Sequence, residues 1–268
     1  MKLLNADAMV SAIFFVRKGS SMDRVSILGV EVDNVSLIEA VNRVEGLALG
    51  GTPSLVVTAN PEIIWRARSD KSFAQCLEAA EMVTADGIGI IIAAKILGKP
   101  LKQRVTGIDL ITAIFAGAEK KPFTFYFLGG RPGIAQKALE NITARFPGVQ
   151  VVGVHHGYFD DDAAILKDIK EKKPDILLAA LGMGKQEKWI REKAMAAGVP
   201  VSIGVGGSFD VFSGEVKRAP VWMQKAGIEW LHRLIKQPSR LGRMLQLPKF
   251  LAAVIGSRLT GRNFRKNS

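Results

Sequence analysis

Short apolar, β-rich segments take turns with helix-patterned segments along most of the chain, and that alternation limits the fold more than any other feature of the sequence. Leu55 to Thr58, Phe123 to Leu128, Val149 to Val154, Ile176 to Leu181 and Val201 to Val205 read as strands, as does the segment from Glu81 to Thr84. Pro61 to Arg68, Ile88 to Leu97, Gly133 to Arg145, Ala163 to Lys172 and Glu187 to Ala197 have the length and periodicity of crossover helices. Strand and helix in alternation predict an α/β fold, a Rossmann-like parallel sheet with helices on both faces. Ligands of such a sheet sit at the carboxyl ends of its strands.

Charge divides the chain in two. Residues 217–268 hold 12 Lys and Arg against a single acid, Glu229, and so carry +11 of the formal +12 of the whole chain. The same segment contains Trp222, Trp230, Leu231, Leu234, Leu245, Leu247, Phe250 and Leu251. A surface both basic and apolar suits an anionic membrane, on which the tail is expected to lie. Its longest apolar run, Phe250 to Gly256, is far short of the roughly 20 residues that cross a bilayer.

The 268 residues suffice for one sizeable core with an appendage. We expect an N-terminal extension at residues 1–24, a core at 25–216 and a basic helical C-terminal appendage at 217–268. The apolar stretch from Ala8 to Val16 is too short for a membrane span, and the globular pattern begins just after Met22, which reads as an alternative start. One cysteine, Cys76, excludes a disulfide framework and fits a reducing cytoplasm; its surroundings make it a small core residue on a helix.

Several predicted strand ends carry polar or glycine-rich residues: Thr58-Ala59-Asn60-Pro61, Thr84-Ala85-Asp86-Gly87, the glycines from Gly129 to Gly133, Gly182 to Gln186 and Gly204 to Asp210. Glycines there let main-chain N–H groups and helix N-termini approach a phosphate, although each alone equally marks a tight turn. No dinucleotide fingerprint is complete; the nearest, from Gly182, has Glu187 in place of its last glycine. Asp86 is either the cap of the helix that follows it or a chemical group. By itself the position suits a cap; neutral polar Thr58, Asn60 and Gln186 at neighbouring strand ends strengthen the second reading, in which a carboxylate takes a proton from a hydroxyl. Asp160-Asp161-Asp162 matches a D-x-D metal pattern, but acids that open a helix at Ala163 complement its dipole. His155 and His156 end a strand without a second histidine cluster, which argues against zinc, and His232 reads as a surface histidine of the tail.

Taken together, Thr58-Ala59-Asn60-Pro61-Glu62, Ala85 to Gly89, Arg104 to Asp109, Gly184 to Trp189, Gly204 to Asp210, Lys217-Arg218-Ala219-Pro220 and Glu229 to Leu234 resemble the bacterial WecG/TagA/CpsF-type glycosyltransferases, from about Val25 to Arg243. The resemblance implies an inverting, metal-independent enzyme at the cytoplasmic face of the cell membrane. It implies a UDP-sugar donor (N-acetylmannosamine, its uronic acid or glucose) and an undecaprenyl-diphosphate-linked sugar acceptor in surface polysaccharide or teichoic acid linkage-unit synthesis. Carried over by position, it makes Asp86 the general base. Thr58, Asn60 and Gln186 orient sugars, Arg104 binds donor sugar or diphosphate, and Tyr158 and Asp210 hold uracil and ribose. Arg233, Arg240 and Arg243, spaced by seven and three residues, bind diphosphate with guanidinium forks in place of a metal. Tyr158 reads alternatively as a core aromatic. His232, where the family commonly has an aromatic, and Gln237-Pro238, where it has acid before proline, depart from the pattern.

The resemblance implies no cofactor and no nucleic acid, and leaves the formation of a homo-oligomer open. Two alternatives carry less weight. A nucleic-acid-binding protein would use the basic tail on phosphates, but the tail lacks an aromatic stacking platform. A nucleotide-dependent oxidoreductase would share the sheet, but the fingerprint is missing.

Overall fold

The computed structural model describes residues 23–236, 238, 242 and 246–261. A hairpin of β1 (Arg24–Ile27) and β2 (Val30–Asp33) leads into helix α1 (Leu37–Gly50). Next come β3 (Ser54–Ala59), α2 (Pro61–Ala67), α3 (Lys71–Glu78), β4 (Met82–Ala85), α4 (Ile88–Ile96) and α5 (Gly107–Ala116). The chain continues through β5 (Thr124–Gly129), α6 (Ile134–Arg145), β6 (Gln150–His155), α7 (Ala163–Lys172), β7 (Ile176–Ala180), α8 (Lys185–Trp189), β8 (Val201–Gly204) and α9 (Ser208–Phe212). Helices α10 (Val221–Lys225), α11 (Glu229–Lys236) and α12 (Gln246–Thr260) follow.

Strands β3 to β8 form one parallel sheet of six, in the order β4-β3-β8-β7-β5-β6. Alternate residues of each strand feed two different cores, as the two-residue period of a strand requires. Leu55, Val57, Tyr126, Leu128, Leu177 and Ala179 join the core beneath α2, α3, α4 and α12. Val56, Phe125, Phe127, Ile176, Leu178 and Ile203 join the core beneath α1, α5, α6 and α9. Every residue of β3 is buried, which fits a strand with helices on both sides.

The expected α/β alternation is present, with strand and helix ends moved by one or two residues. The helix expected from Glu187 to Ala197 is divided: after α8 the coil widens into a π turn over Ile190–Ala194, closed by the Met195 N–H donating to the Ile190 carbonyl at 3.0 Å. Cys76 is buried on α3, as expected. The hairpin and α1 were not foreseen. Helix α1 begins at a capping box, in which the Ser36 hydroxyl accepts from the Glu39 N–H and the Glu39 carboxylate accepts from the Ser36 N–H, and it ends at left-handed Gly51.

Part of the tail packs onto the core. Phe250 and Val254 of α12 are fully buried against α2 and α4, in the same core as β3. Phe250 and Val254 of α12 are therefore covered by the protein itself, while Ile255 and Leu259 of the same helix are exposed. A basic amphipathic helix shows the same sequence pattern for either partner, so periodicity alone could not decide between them.

Close approach at α4 makes this docking possible. A Cβ on Gly89 would lie 2.6 Å from Pro61 Cγ and 2.8 Å from Leu247 Cδ1, so a side chain there would push α2 and α12 apart. Gly89→Ala is expected to cost about 1–3 kcal/mol of stability from overpacking. Gly256→Ala, on α12 with open space around it, is expected to stabilise by up to about 1 kcal/mol through helix propensity. Urea unfolding of both variants checks the pair; equal and small effects would mean that α12 is not seated as described.

Candidate active site

Asp86 follows β4 at the edge of the sheet, and its N–H donates to the Ala59 carbonyl at 2.8 Å, joining the ends of β3 and β4. It does not cap the helix after it. The N-cap of α4 is Gly87, with φ 116°, and no side chain bonds the first turn. The Asp86 carboxylate turns instead to the start of α5, where Oδ2 accepts the Gly107 N–H at 3.1 Å. Gly107 sits between this carboxylate and Thr58, since a Cβ there would come within 3.1 Å of Thr58 Oγ1. The α5 N-terminus is held in place by the Val105 N–H, which donates to Ala85 O at 2.9 Å, and by the Thr84 hydroxyl, which donates to Val105 O at 3.1 Å.

Thr58 is buried at the end of β3, and its hydroxyl donates to the Gly204 carbonyl of β8 at 3.2 Å. Asn60 caps α2, its Oδ1 accepting the Ile63 N–H at 2.9 Å. Gln186 is buried at the start of α8, where its amide bridges two strand ends: Nε2 donates to Glu187 Oε1 at 2.9 Å, and Oε1 accepts the Gly206 N–H at 3.2 Å. Glu187 Oε2 accepts the Gly184 N–H at 2.7 Å. Burial pushes the Glu187 carboxyl up, against the lowering effect of these hydrogen bonds and of Arg66.

Arg104 immediately precedes the α5 segment and reaches the appendage: Nη2 donates to the Gln224 carbonyl of α10 at 3.0 Å, and Nη1 lies 3.8 Å from Glu229 Oε2. Arg233 Nη2 lies 3.7 Å from the other oxygen of Glu229. Arg218 is gripped from two sides, by Asp109 Oδ1 at 2.7 Å from Nη1 and by Glu229 Oε1 at 3.2 Å from Nε. Burial raises the Asp109 carboxyl, but hydrogen bonds from Arg218 and Thr106 prevail and hold it below the usual carboxylate range. Asp109, Arg218 and Glu229 lie in stretches that carry the family resemblance, and Glu229 stands out as the one acid of a basic segment, but none was given a site role from the sequence.

The balance at Asp86 goes the other way. Burial pushes its carboxyl above the ordinary aspartate value, and Glu229 adds to that; the Gly107 N–H, Arg233 and Arg104 oppose it and are outweighed. A carboxylate with raised pKa, within electrostatic reach of two arginines, can accept a proton.

The remaining expected residues lie further off. Asp210, on α9, lines a cleft with Gly207, Lys217, His232, Arg233 and Lys236. His232 is thus half-buried in a cleft wall and not a plain surface histidine. Tyr158 follows β6, at the sheet edge opposite Asp86, and is 68% exposed, which overturns the core-aromatic alternative. Arg240 and Arg243 lie outside the described residues. Of the three successive acids, Asp161 Oδ1 accepts the Ala163 N–H at 3.1 Å at the start of α7, and Asp162 accepts the Trp189 indole N–H at 2.8 Å. Asp162 also pairs with Lys193 at 3.6 Å.

The glycosyl transferase WecG/TagA/CpsF family matches residues 25–264. An N-acetylglucosaminyldiphosphoundecaprenol N-acetyl-beta-D-mannosaminyltransferase of Bacillus spizizenii is 37% identical over 202 residues, covering 75% of this chain and 79% of the relative. A protein of the same description from Staphylococcus aureus is 34% identical over 239 residues, covering 88% of this chain and 94% of the relative. A match over nearly the whole described fold, with the strand-end residues gathered as above, establishes that this chain belongs to the WecG/TagA/CpsF family of glycosyltransferases.

Proposed function

We propose that this glycosyltransferase moves N-acetylmannosamine from a UDP-sugar to N-acetylglucosamine carried on undecaprenyl diphosphate, with inversion and without a metal. The names of its relatives support this donor sugar and this acceptor over the uronic acid or glucose. The observation that carries the chemistry is the recessed Asp86 carboxylate, raised by burial and faced by Arg104 and Arg233. Asp86 takes the proton of the acceptor hydroxyl as that oxygen attacks the anomeric carbon from the face opposite UDP. The new carbon–oxygen bond forms while the bond to the diphosphate breaks, and its electron pair leaves with UDP. Thr58 and Gln186, at the strand ends, orient the sugars, and the Nδ2 group of Asn60 does the same while its Oδ1 caps α2.

Charge on the departing diphosphate is met by guanidinium groups, Arg104 and Arg233 among the described residues, with Arg240 and Arg243 from the sequence. Asp162, turned to Trp189 and Lys193, is occupied in fixing α7 and α8. Asp210 and Tyr158 hold the nucleotide along the strand ends. Exposed Val221, Trp222 and Ile235 stand among the cations of α10 and α11 and supply the face that meets an anionic membrane. Sedimentation with anionic vesicles should fall steeply with salt; salt-independent binding would contradict an electrostatic contact.

Asp86→Asn keeps the side-chain shape but cannot accept the proton. Transfer from UDP-N-acetylmannosamine to a soluble lipid-diphosphate analogue should fall by about 10²–10⁴, with UDP affinity by calorimetry unchanged. Activity within a few-fold of the parent would remove Asp86 as the base. The same variant should be more stable than the parent at neutral pH. A carboxyl raised in the folded state binds more protons folded than unfolded, so the parent loses stability as pH rises through that folded value. The melting advantage of the asparagine variant should therefore shrink as pH is lowered toward 4.

Chelation is expected to leave turnover intact, because fixed cations stabilise the leaving group. Loss of transfer in EDTA that magnesium or manganese restores would return the three successive acids to consideration as metal ligands.

A further inference from the structure

Glu229 is the single acid among the last 52 residues, and it is buried. Burying a carboxylate costs free energy unless it is paired, and Glu229 is paired three times, with arginines from three different stretches of chain. Arg218 comes from the segment before α10 and is also bound by Asp109 of α5, which ties the appendage to the core. Arg104 comes from the core, before α5, and Arg233 lies one turn along α11 from Glu229 itself. The distances sort these partners. Arg218 makes a hydrogen bond at 3.2 Å, whereas Arg104, also bonded to the Gln224 carbonyl, and Arg233 stand at 3.8 and 3.7 Å, paired with Glu229 by charge and not by a hydrogen bond.

We propose that Glu229 is a positioning residue for glycosyl transfer: it holds Arg104 and Arg233, one from the core and one from the appendage, side by side next to Asp86. It rests on the proposed function in one respect, that Asp86 is the base. Without a carboxylate at this point, two guanidinium groups gathered on its two oxygens would repel and separate. With it they remain together, ready to exchange a long contact to Glu229 for a shorter one to the departing diphosphate.

The groups that face Asp86 are Arg104 and Arg233 as cations, Glu229 as an anion and the Gly107 N–H as a hydrogen-bond donor. Each arginine influences Asp86 more than Glu229 does. Two substitutions at Glu229 should therefore act in opposite directions. Glu229→Gln removes the negative charge but retains an oxygen that can accept from the arginines, so the acidic limb of the kcat profile should move to lower pH. Glu229→Ala removes the anchor as well. The arginines then drift from Asp86, the loss of two cations exceeds the loss of one anion, and the limb should move to higher pH.

Both variants should lower kcat, by about tenfold for glutamine and more for alanine, with a smaller change in KM for the UDP-sugar. The test is the pH dependence of kcat in the full-length parent, Glu229→Gln, Glu229→Ala and Asp86→Asn, with circular dichroism melts of each. Limbs of opposite displacement support the proposal; coincident limbs and an unchanged kcat in both Glu229 variants overturn it. Should alanine unfold the appendage, the glutamine variant decides through kcat: a displaced limb with an unchanged kcat would overturn the proposal, because the charge of Glu229 acts on Asp86 whether or not it holds the arginines. An active Asp86→Asn that retains the parental limb would instead sink the reading of Asp86 as the base, an outcome separate from failure at Glu229.

Discussion

The contact on which the rest of the site depends is the grip of Asp109 and Glu229 on the Arg218 guanidinium, where the last stretch of chain is fastened to the mouth of the sheet. Such a partly buried ionic cluster contributes little net stability, because desolvation and solvent screening offset most of the attraction among its members. Its effect is positional. With Arg218 fixed, α10 and α11 come to rest over the end of β4, Gln224 takes a hydrogen bond from Arg104, and Arg233 is brought within electrostatic reach of Asp86. Asp86 itself lies at the end of a strand buried on both sides, against a helix start that offers it only one N–H, so its charge is under-compensated by design of the surroundings.

Much of this architecture was legible in the sequence because periodicity reports burial, and burial in a parallel sheet leaves few alternatives. The strands, their crossover helices and the placement of Thr58, Asp86 and Gln186 at carboxyl ends follow from short-range pattern alone. Asp86 as a helix cap was equally consistent with that pattern, and only the backbone of Gly87 and the approach of α5 decide against it. The ionic cluster was not legible. Asp109, Arg218 and Glu229 are ordinary charged residues until three distant segments meet, and nothing in their local sequence announces the partner. The role of Phe250 and Val254 was hidden for a related reason: an apolar helix face does not state whether it will be covered by lipid or by protein.

The tail thus has two parts with different physical tasks. Helix α12 completes a hydrophobic core on α2 and α4, so cutting the chain at Lys217 would uncover that core and not merely remove a charged appendage. Helix α11 presents Arg233 and Lys236 to a cleft, and exposed Trp222 of α10 and Ile235 of α11 lie outside its lining. On the proposed function, one substrate comes from water and the other from a lipid surface, and a two-sided element of this kind would serve both.

The account turns on the state of one carboxyl group, and its titration can be observed directly. Selective ¹³C labelling of aspartate, with Asp86 assigned by comparison with Asp86→Asn, gives the titration midpoint by NMR in the full chain without ligand. We expect a midpoint above the ordinary aspartate value, displaced further upward when Arg104 is replaced by glutamine. A midpoint at or below the ordinary value, unmoved by that replacement, would contradict a base set by burial and by the arginines that Glu229 holds in place.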